Sequence, residues 1–376
     1  MKNIIILAII GLLLASCNEI EIKTVVNPDG SCYRELTSNI DRKYLNPDSI
    51  SKHNPFPVEI DSIWTLSWSE GEINWENEFP VFEKFENKTD SSKENKDSTN
   101  YKIRIKKHFS SVENMGKEYV IKDAHPWKDL KIDYQLVKKF RWFYTYYEYK
   151  ETYHNPQIKF ENSIDEFLTK DEYLFWFTGQ PNLTSGMSGM EAREYLGEIE
   201  NKYEKWMLKN MWAWEYDYML SNYDKIPNIT IEKEKLIHLK DSIFESKVKK
   251  NLDFKMDDIL DSFFITSIFS RFWNEESSPM KDYQEDSDAP YPSVVSLLSE
   301  SFDYSLILPG NIKTSNSAKT DGNKMIWNLS AYRFLVNDYV IEAESQKVNI
   351  WAFIVTGIIV ILTLISYLLP LKKKKI

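Results

Sequence analysis

The chain has 376 residues, 57 acidic against 47 Lys and Arg, for a net charge of −10, and only two cysteines. An acidic chain is a poor partner for nucleic acid or a bare anionic headgroup surface.

Lys2 precedes an apolar run from Ile4 to Ala15, broken only by Gly11. Twelve helical residues span roughly 18 Å, against a bilayer core of about 30 Å. The run therefore reads as the core of an export signal, residues 1–16, rather than a span. Next comes Leu14-Ala15-Ser16-Cys17, which resembles the bacterial lipobox. That resemblance implies a diacylglycerol on the Cys17 thiol and cleavage just before it, and two acyl chains hold a protein stably to a bilayer. If Cys17, the first of the two cysteines, is acylated, Cys32 has no intrachain partner, which excludes a disulfide framework and a cysteine-based zinc site.

The body, residues 18–349, carries about −15, because Lys2 and Lys372 to Lys375 lie outside it. Its aromatic content supports a large core. Ile20, Ile22 and Thr24 alternate with charged residues, Asn27-Pro28-Asp29-Gly30 carries turn chemistry, and Cys32, Arg34 and Leu36 continue as a second strand. This predicts a hairpin with Cys32 as a buried free thiol. A strand, a turn at Gly71 and another strand are predicted over Trp64 to Trp75. Residues 86–100 are almost purely polar and predict a disordered loop. Tyr101, Ile103 and Ile105 predict a strand, and Ser110 or Ser111 a cap for a short helix through Met115. Leu130 to Tyr153, rich in aromatic and β-branched residues, predicts one long strand.

From about Ser163 the period becomes helical. Ser188 and Glu191 form a capping box, after which Leu196, Ile199, Tyr203, Trp206, Met207, Asn210, Met211 and Trp214 keep helical spacing. Further helices are predicted over Ile231 to Val248 and Met256 to about Phe269, then an acidic loop from Asn274 to Pro290. Strands return at Ser301–Leu308, Asn323–Ser330 and Tyr339–Glu344. The fold class is therefore α+β: a mainly antiparallel sheet with a helical insertion at about 163–273.

Ile350 to Leu371 contains no charge and is 22 residues long. At about 1.5 Å per residue it reaches ~33 Å, enough to cross a membrane. Trp351 and Tyr367 sit near its ends as interfacial aromatics do, and Lys372 to Lys375 predict a cytoplasmic tail, residues 372–376. An exported body held by this helix is expected at the bacterial inner membrane, periplasmic, with the C-terminus cytoplasmic.

The segment before that helix reads Leu308-Pro309-Gly310-Asn311, Thr314-Ser315-Asn316, Asp321-Gly322-Asn323, Trp327 and Glu342-Ala343-Glu344-Ser345. It resembles the end of LppM-like bacterial membrane-anchored lipoprotein domains, and the Asn18–Leu36 hairpin is similar to uncharacterised lipoproteins of the Bacteroidetes. The resemblance implies an α+β ectodomain, with lipid or glycolipid binding in one branch of the family, and brings no catalytic residues. From the residues alone, Trp327 is a core residue, and Pro309 and Gly310 are turn requirements.

His53, His108, His125, His154 and His238 show no zincin spacing. His154 and Glu148 share a strand face with two side chains between them. Gly186 to Gly189 is not a nucleophile elbow. No catalytic residue, metal or cofactor is predicted. The expected function is a non-catalytic cell-envelope lipoprotein whose tethered ectodomain binds an envelope protein or lipid; the alternative is an envelope hydrolase with an unrecognised site. Trp206, Trp212, Trp214 and Tyr216 cover more than one helix face and are the candidate ligand-binding residues, in a cavity between sheet and helices.

Overall fold

In the computed structural model, which describes residues 20–40, 54–70, 79–80, 101–248, 255–274, 278–286 and 289–368, the first hairpin forms as its turn chemistry requires. Strand β1 (Ile20–Val26) pairs antiparallel with β2 (Cys32–Ile40). The turn closes through Asn27 N–H to Ser31 O at 2.8 Å and Gly30 N–H to Asn27 O at 3.0 Å, with Asp29 accepting from Ser31 N–H and Oγ. Cys32 is a buried free thiol, and burial pushes it up to about 11, so it is no nucleophile at neutral pH.

Three strands follow: β3 (Thr65–Glu70), β4 (Phe79–Pro80) and β5 (Tyr101–Phe109). The predicted partner strand ending at Trp75, its turn at Gly71, and the polar 86–100 segment lie outside the described residues. Helix α1 (Val112–Glu118) is capped by Ser111, whose hydroxyl accepts from Asn114 N–H. The stretch predicted as one long strand is a hairpin instead: β6 (Ile132–Phe140) folds back on β7 (Tyr144–Tyr153) through Arg141-Trp142-Phe143. The turn has none of the Gly, Asn or Pro that usually announces one.

Helices α2 (Lys170–Thr178) and α3 (Gly189–Ser221) are both opened by capping boxes, at Thr169/Glu172 and Ser188/Glu191. Helix α4 (Lys233–Ile243) runs into a wide turn, Phe244–Val248. The predicted Met256–Phe269 helix is broken in two, α5 (Met256–Phe264) and α6 (Ile268–Asn274). Ile265 sits at φ +56°, and the Asp261 carboxylate accepts from Phe269 and Ser270 N–H, so one side chain ends the first helix and caps the second. The predicted acidic loop is also corrected: it contains α7 (Pro279–Glu285), capped by Ser278, and leads into α8 (Pro290–Leu298).

Strands β8 (Ser301–Ile307), β9 (Asn311–Ser315), β10 (Lys319–Asp321), β11 (Lys324–Ser330) and β12 (Tyr339–Val348) complete two sheets. The larger has the order β10-β11-β8-β1-β2-β5-β3-β4 and the smaller β6-β7-β12-β9. Among the described residues all strand pairings are antiparallel except β1 with β8. Strands from before and after the helices pair in both sheets, β1 with β8 and β7 with β12. Finally α9 (Ile350–Leu368) follows β12 after Asn349 alone.

A buried ion pair joins the sheets. Arg34 of β2 forks onto Glu151 of β7, Nη2 to Oε2 at 3.0 Å and to Oε1 at 3.2 Å. Tyr149 (2.6 Å), Tyr304 (2.7 Å) and Tyr153 (2.5 Å) donate their hydroxyls to the same carboxylate. Arg34 Nε donates to Thr24 Oγ1 and Nη1 to Tyr134 Oη, while the guanidinium lies over the Tyr119 ring at 4.6 Å. Burial works against the Arg34 charge, yet Glu151 beside it holds the guanidinium well above its usual value. Burial and the Glu151 charge push the Tyr149, Tyr153 and Tyr304 hydroxyls up, so they stay protonated donors.

The same contacts set the relative direction of the sheets. Pro28 O accepts from Lys138 and Tyr147, Thr24 bonds Tyr304 beside Glu151, and Phe302, the register partner of Ile20, meets Trp127, which packs on Tyr153. Thus β1 begins at the pole marked by Tyr153, while α9 leaves from the opposite pole, marked by Tyr144 and Val348.

Candidate functional site: the joint between the sheets and the apolar helix

Asn349 is the one residue between β12 and α9, and each of its polar groups is used. Its N–H donates to Phe143 O at 2.9 Å and its carbonyl accepts from Ala352 N–H at 2.9 Å, opening the helix. Its Nδ2 donates to Arg141 O (2.9 Å) and Trp142 O (3.2 Å), and its Oδ1 accepts from Thr145 Oγ1 at 3.0 Å. The β6–β7 turn is therefore wrapped around Asn349, the residue just before the helix. That is how a turn of Trp142 and Phe143 persists without glycine: both side chains pack against α9.

The contact continues along α9. Trp142 Nε1 donates to Thr356 Oγ1 at 2.8 Å. Trp142 meets Trp351 at 5.2 Å between ring centres, Phe143 meets Phe353 at 4.6 Å, and Phe140 lies parallel to Trp351 at 6.2 Å. Phe140, Trp142 and Trp351 are nonetheless 58, 45 and 49% exposed, and the rest of α9 turns its apolar side chains outward, with only Ala352 buried. Arg141 and Lys347 are exposed beside them. The arrangement is an aromatic and basic collar at the foot of a helix long and apolar enough to cross a membrane.

The four aromatics singled out on α3 are placed elsewhere. Trp206 and Trp214 pack into the core shared with the sheets, and Trp212 and Tyr216 into a second core formed with α4 to α7. All four are buried, so α3 bears aromatics on two faces because it is clasped between two layers. Trp206 Nε1 donates to Asn162 O and Tyr216 Oη to Leu236 O. A nearby cavity lined by Tyr203, Met207, Met211, Tyr291 and Leu298 offers about 30 Å³ and is bordered by none of the four. That is room for one water, not for a lipid chain. A shallow depression of about 530 Å³ at the start of α3 is lined by Met187, Glu191, Glu194, Tyr195 and Glu198 and opens to solvent.

Cys17 and the terminal lysines lie outside the described residues. His154 and Glu148 do not meet: His154 sits between Asp133 (2.8 Å) and Asp338 (3.0 Å), and Glu148 pairs with Lys139. Among the described residues no three of His, Cys, Asp and Glu are grouped to hold a metal ion. Trp142 and Phe143 were read from the sequence as strand residues. The available signal was the mixture Lys138-Lys139-Phe140-Arg141-Trp142-Phe143-Tyr144, basic and aromatic together.

One carboxylate outside the joint is strongly perturbed. Burial, then the Asp257 charge, pushes Glu215 up to about 7. An acid raised this way binds more protons folded than unfolded, so stability is highest at acid pH and falls as pH rises from the unfolded value near 4.5 through 7. The loss is roughly 3 kcal/mol at most. Denaturant titrations at pH 5 and pH 8 should show Glu215→Gln removing that part of the slope and stabilising the protein at pH 8. An unchanged slope would mean that Glu215 is ionised at no cost.

Comparison of the chain with family models, with curated proteins and with solved structures gives no match.

Proposed function

We propose that this chain is a non-catalytic, membrane-tethered envelope protein, with α9 as its spanning anchor, a lipid on Cys17 as a second one, and the two-sheet body engaging an envelope protein or lipid. The observation that carries the reading is the joint. An apolar helix turned outward along its length is bonded into β12 and the β6–β7 turn with no linker between. A soluble role would leave 19 residues of outward apolar helix in water. The LppM-like segment, Leu308 to Ser345, agrees with a tethered body.

The described points from which the two anchors would extend, Ile20 at the start of β1 and Ile350 at the start of α9, are at opposite poles. Two residues, Asn18 and Glu19, separate Cys17 from Ile20, so the three Cα steps between them reach about 10 Å at most, whereas the interval from Tyr144 to Tyr153 spans roughly 30 Å. Acyl chains on Cys17 can share a leaflet with α9 only if the body leans over.

Fractionation and labelling test the reading. Radioactive palmitate should label the wild type and not Cys17→Ala. Ending the chain after Asn349, or Cys17→Ala alone, should leave the protein in the membrane pellet, and the two together should release it. A reporter active only outside the cytoplasm should work when inserted before Ile350 and fail after Lys375. Release by either single change, label retained in Cys17→Ala, or the reverse reporter pattern would refute the corresponding part.

A further inference from the structure

The geometry points to a second membrane contact: we propose that the tip of the β6–β7 hairpin, Phe140 to Tyr144, is itself seated in the lipid headgroup region beside α9. This rests on the membrane reading of α9 and specifies which part of the body meets the bilayer.

Length decides the matter. The uncharged stretch runs from Ile350 to Leu371 and is followed by four lysines. Helical throughout, its 22 residues would reach about 33 Å, just over the ~30 Å of a bilayer core. Thr356 is six residues in, about 9 Å along the axis. From Thr356 to the end of α9 at Leu368 only about 20 Å of helix is left, and even a helix continued to Leu371 would add only about 5 Å, too short to cross. The level of Thr356 therefore lies within the membrane, and Trp142 is bonded to Thr356 at 2.8 Å. The indole cannot stand clear of the lipid while that bond exists.

The chemistry of the tip fits that position. Trp142 and Phe140 keep about half their surface open beside the helix, where water would leave apolar area uncovered and the interface would cover it. Arg141 and Lys347, exposed next to them, are placed for phosphate oxygens. The backbone carbonyls of Arg141, Trp142 and Phe143 accept from Asn349, so the turn takes few unpaired polar groups into the interface. At the opposite pole two carboxylates, Asp133 and Asp338, flank His154, whereas the tip of the hairpin presents Arg141 beside its aromatic rings. The partner that matches is a phospholipid bilayer, favoured further by anionic headgroups.

The test uses the full chain with Cys17→Ser, so that α9 is the sole anchor, reconstituted in nanodiscs of zwitterionic and anionic phospholipid. Cys32 is buried and stays unlabelled. Single cysteines at Arg141→Cys, Phe140→Cys, Lys150→Cys and Ile359→Cys carry a nitroxide. Its collision rates with oxygen, which concentrates in lipid, and with a water-soluble nickel chelate report depth. Labels at 140 and 141 should show an oxygen-to-nickel ratio several-fold above position 150 and below position 359. If 359 is embedded while 140 and 141 match 150, the hairpin proposal is overturned and the membrane helix stands. If 359 is also as water-exposed as 150, the membrane reading fails and this proposal with it.

Discussion

Replacing Glu151 with alanine is expected to destabilise the fold by about 3–5 kcal/mol, because it leaves the Arg34 guanidinium buried without its partner. Arg34 and Glu151 are 1% and 0% exposed, so neither can turn to water. The whole stability of a domain is about 5–15 kcal/mol, so this change alone brings the body near unfolding. The usual remedy for such a lesion is to replace both partners with apolar residues, which often costs nothing. Here it should fail in part. Tyr149, Tyr153 and Tyr304 all donate to Glu151, and a double Arg34→Met, Glu151→Leu variant removes that shared acceptor: Tyr149 and Tyr304 keep each other and Tyr304 keeps Thr24, but the Tyr153 hydroxyl loses its partner. Each buried unsatisfied group costs about 1–3 kcal/mol. Glu151→Gln, which keeps acceptor capacity, should cost less than Glu151→Ala. Chemical denaturation of the detergent-solubilised chain measures all three. A loss under about 1 kcal/mol for Glu151→Ala would show that the pair contributes little to holding the sheets together.

That pair illustrates which parts of the molecule a linear reading reaches. Local chemistry was legible: Asn27-Pro28-Asp29-Gly30 makes its turn, Ser111 and Ser188 make their caps, and Pro309-Gly310 makes a sharp crossing between sheets. The α+β class and the helices between pairing strands follow from periodicity. Arg34 and Glu151 are 117 positions apart, and nothing in either neighbourhood announces the other. The β6–β7 turn was hidden for a physical reason. Its apolar residues belong to a strand by propensity and are turned by contact with α9, which lies more than 200 positions later. The break at Ile265 is hidden likewise, since a β-branched residue at positive φ is offset by bonds from the next helix, Phe269 and Ser270 N–H, to the Asp261 carboxylate of the helix before it. The aromatics of α3 were visible but their meaning was not: two opposite faces can border a ligand or join two cores, and only the partner layers decide.

Gly310→Ala should be more damaging still, and its effect should reach the joint. Gly310 has φ +84°, a region where a side chain alone costs about 1 kcal/mol. An added Cβ would also lie 2.2 Å from Gln346 O, 2.6 Å from Gln346 C and 2.7 Å from Lys347 Cα, all backbone atoms of β12. No rotamer relieves such a clash, so β12 or the Leu308–Asn311 crossing must move. The crossing is tied by Ser345 Oγ donating to Pro309 O at 2.8 Å, and β12 is held on both sides by β7 and β9. Three residues after Gln346 comes Asn349, so a displaced β12 carries the joint with it. Gly322→Ala is the matched control: its φ is +58° and nothing lies within 4 Å of the added Cβ. Gly322→Ala should cost about 1 kcal/mol, while Gly310→Ala should lose several and, where folded chain survives, weaken the Trp142–Thr356 contact. Thermal melts of both variants compare the costs. Trp142→Phe introduced into each shows whether the contact was still present, since removing a contact already lost changes nothing further. Equal melting temperatures for the two glycine variants would mean that β12 can shift at no cost, contrary to a strand locked between neighbours and helix.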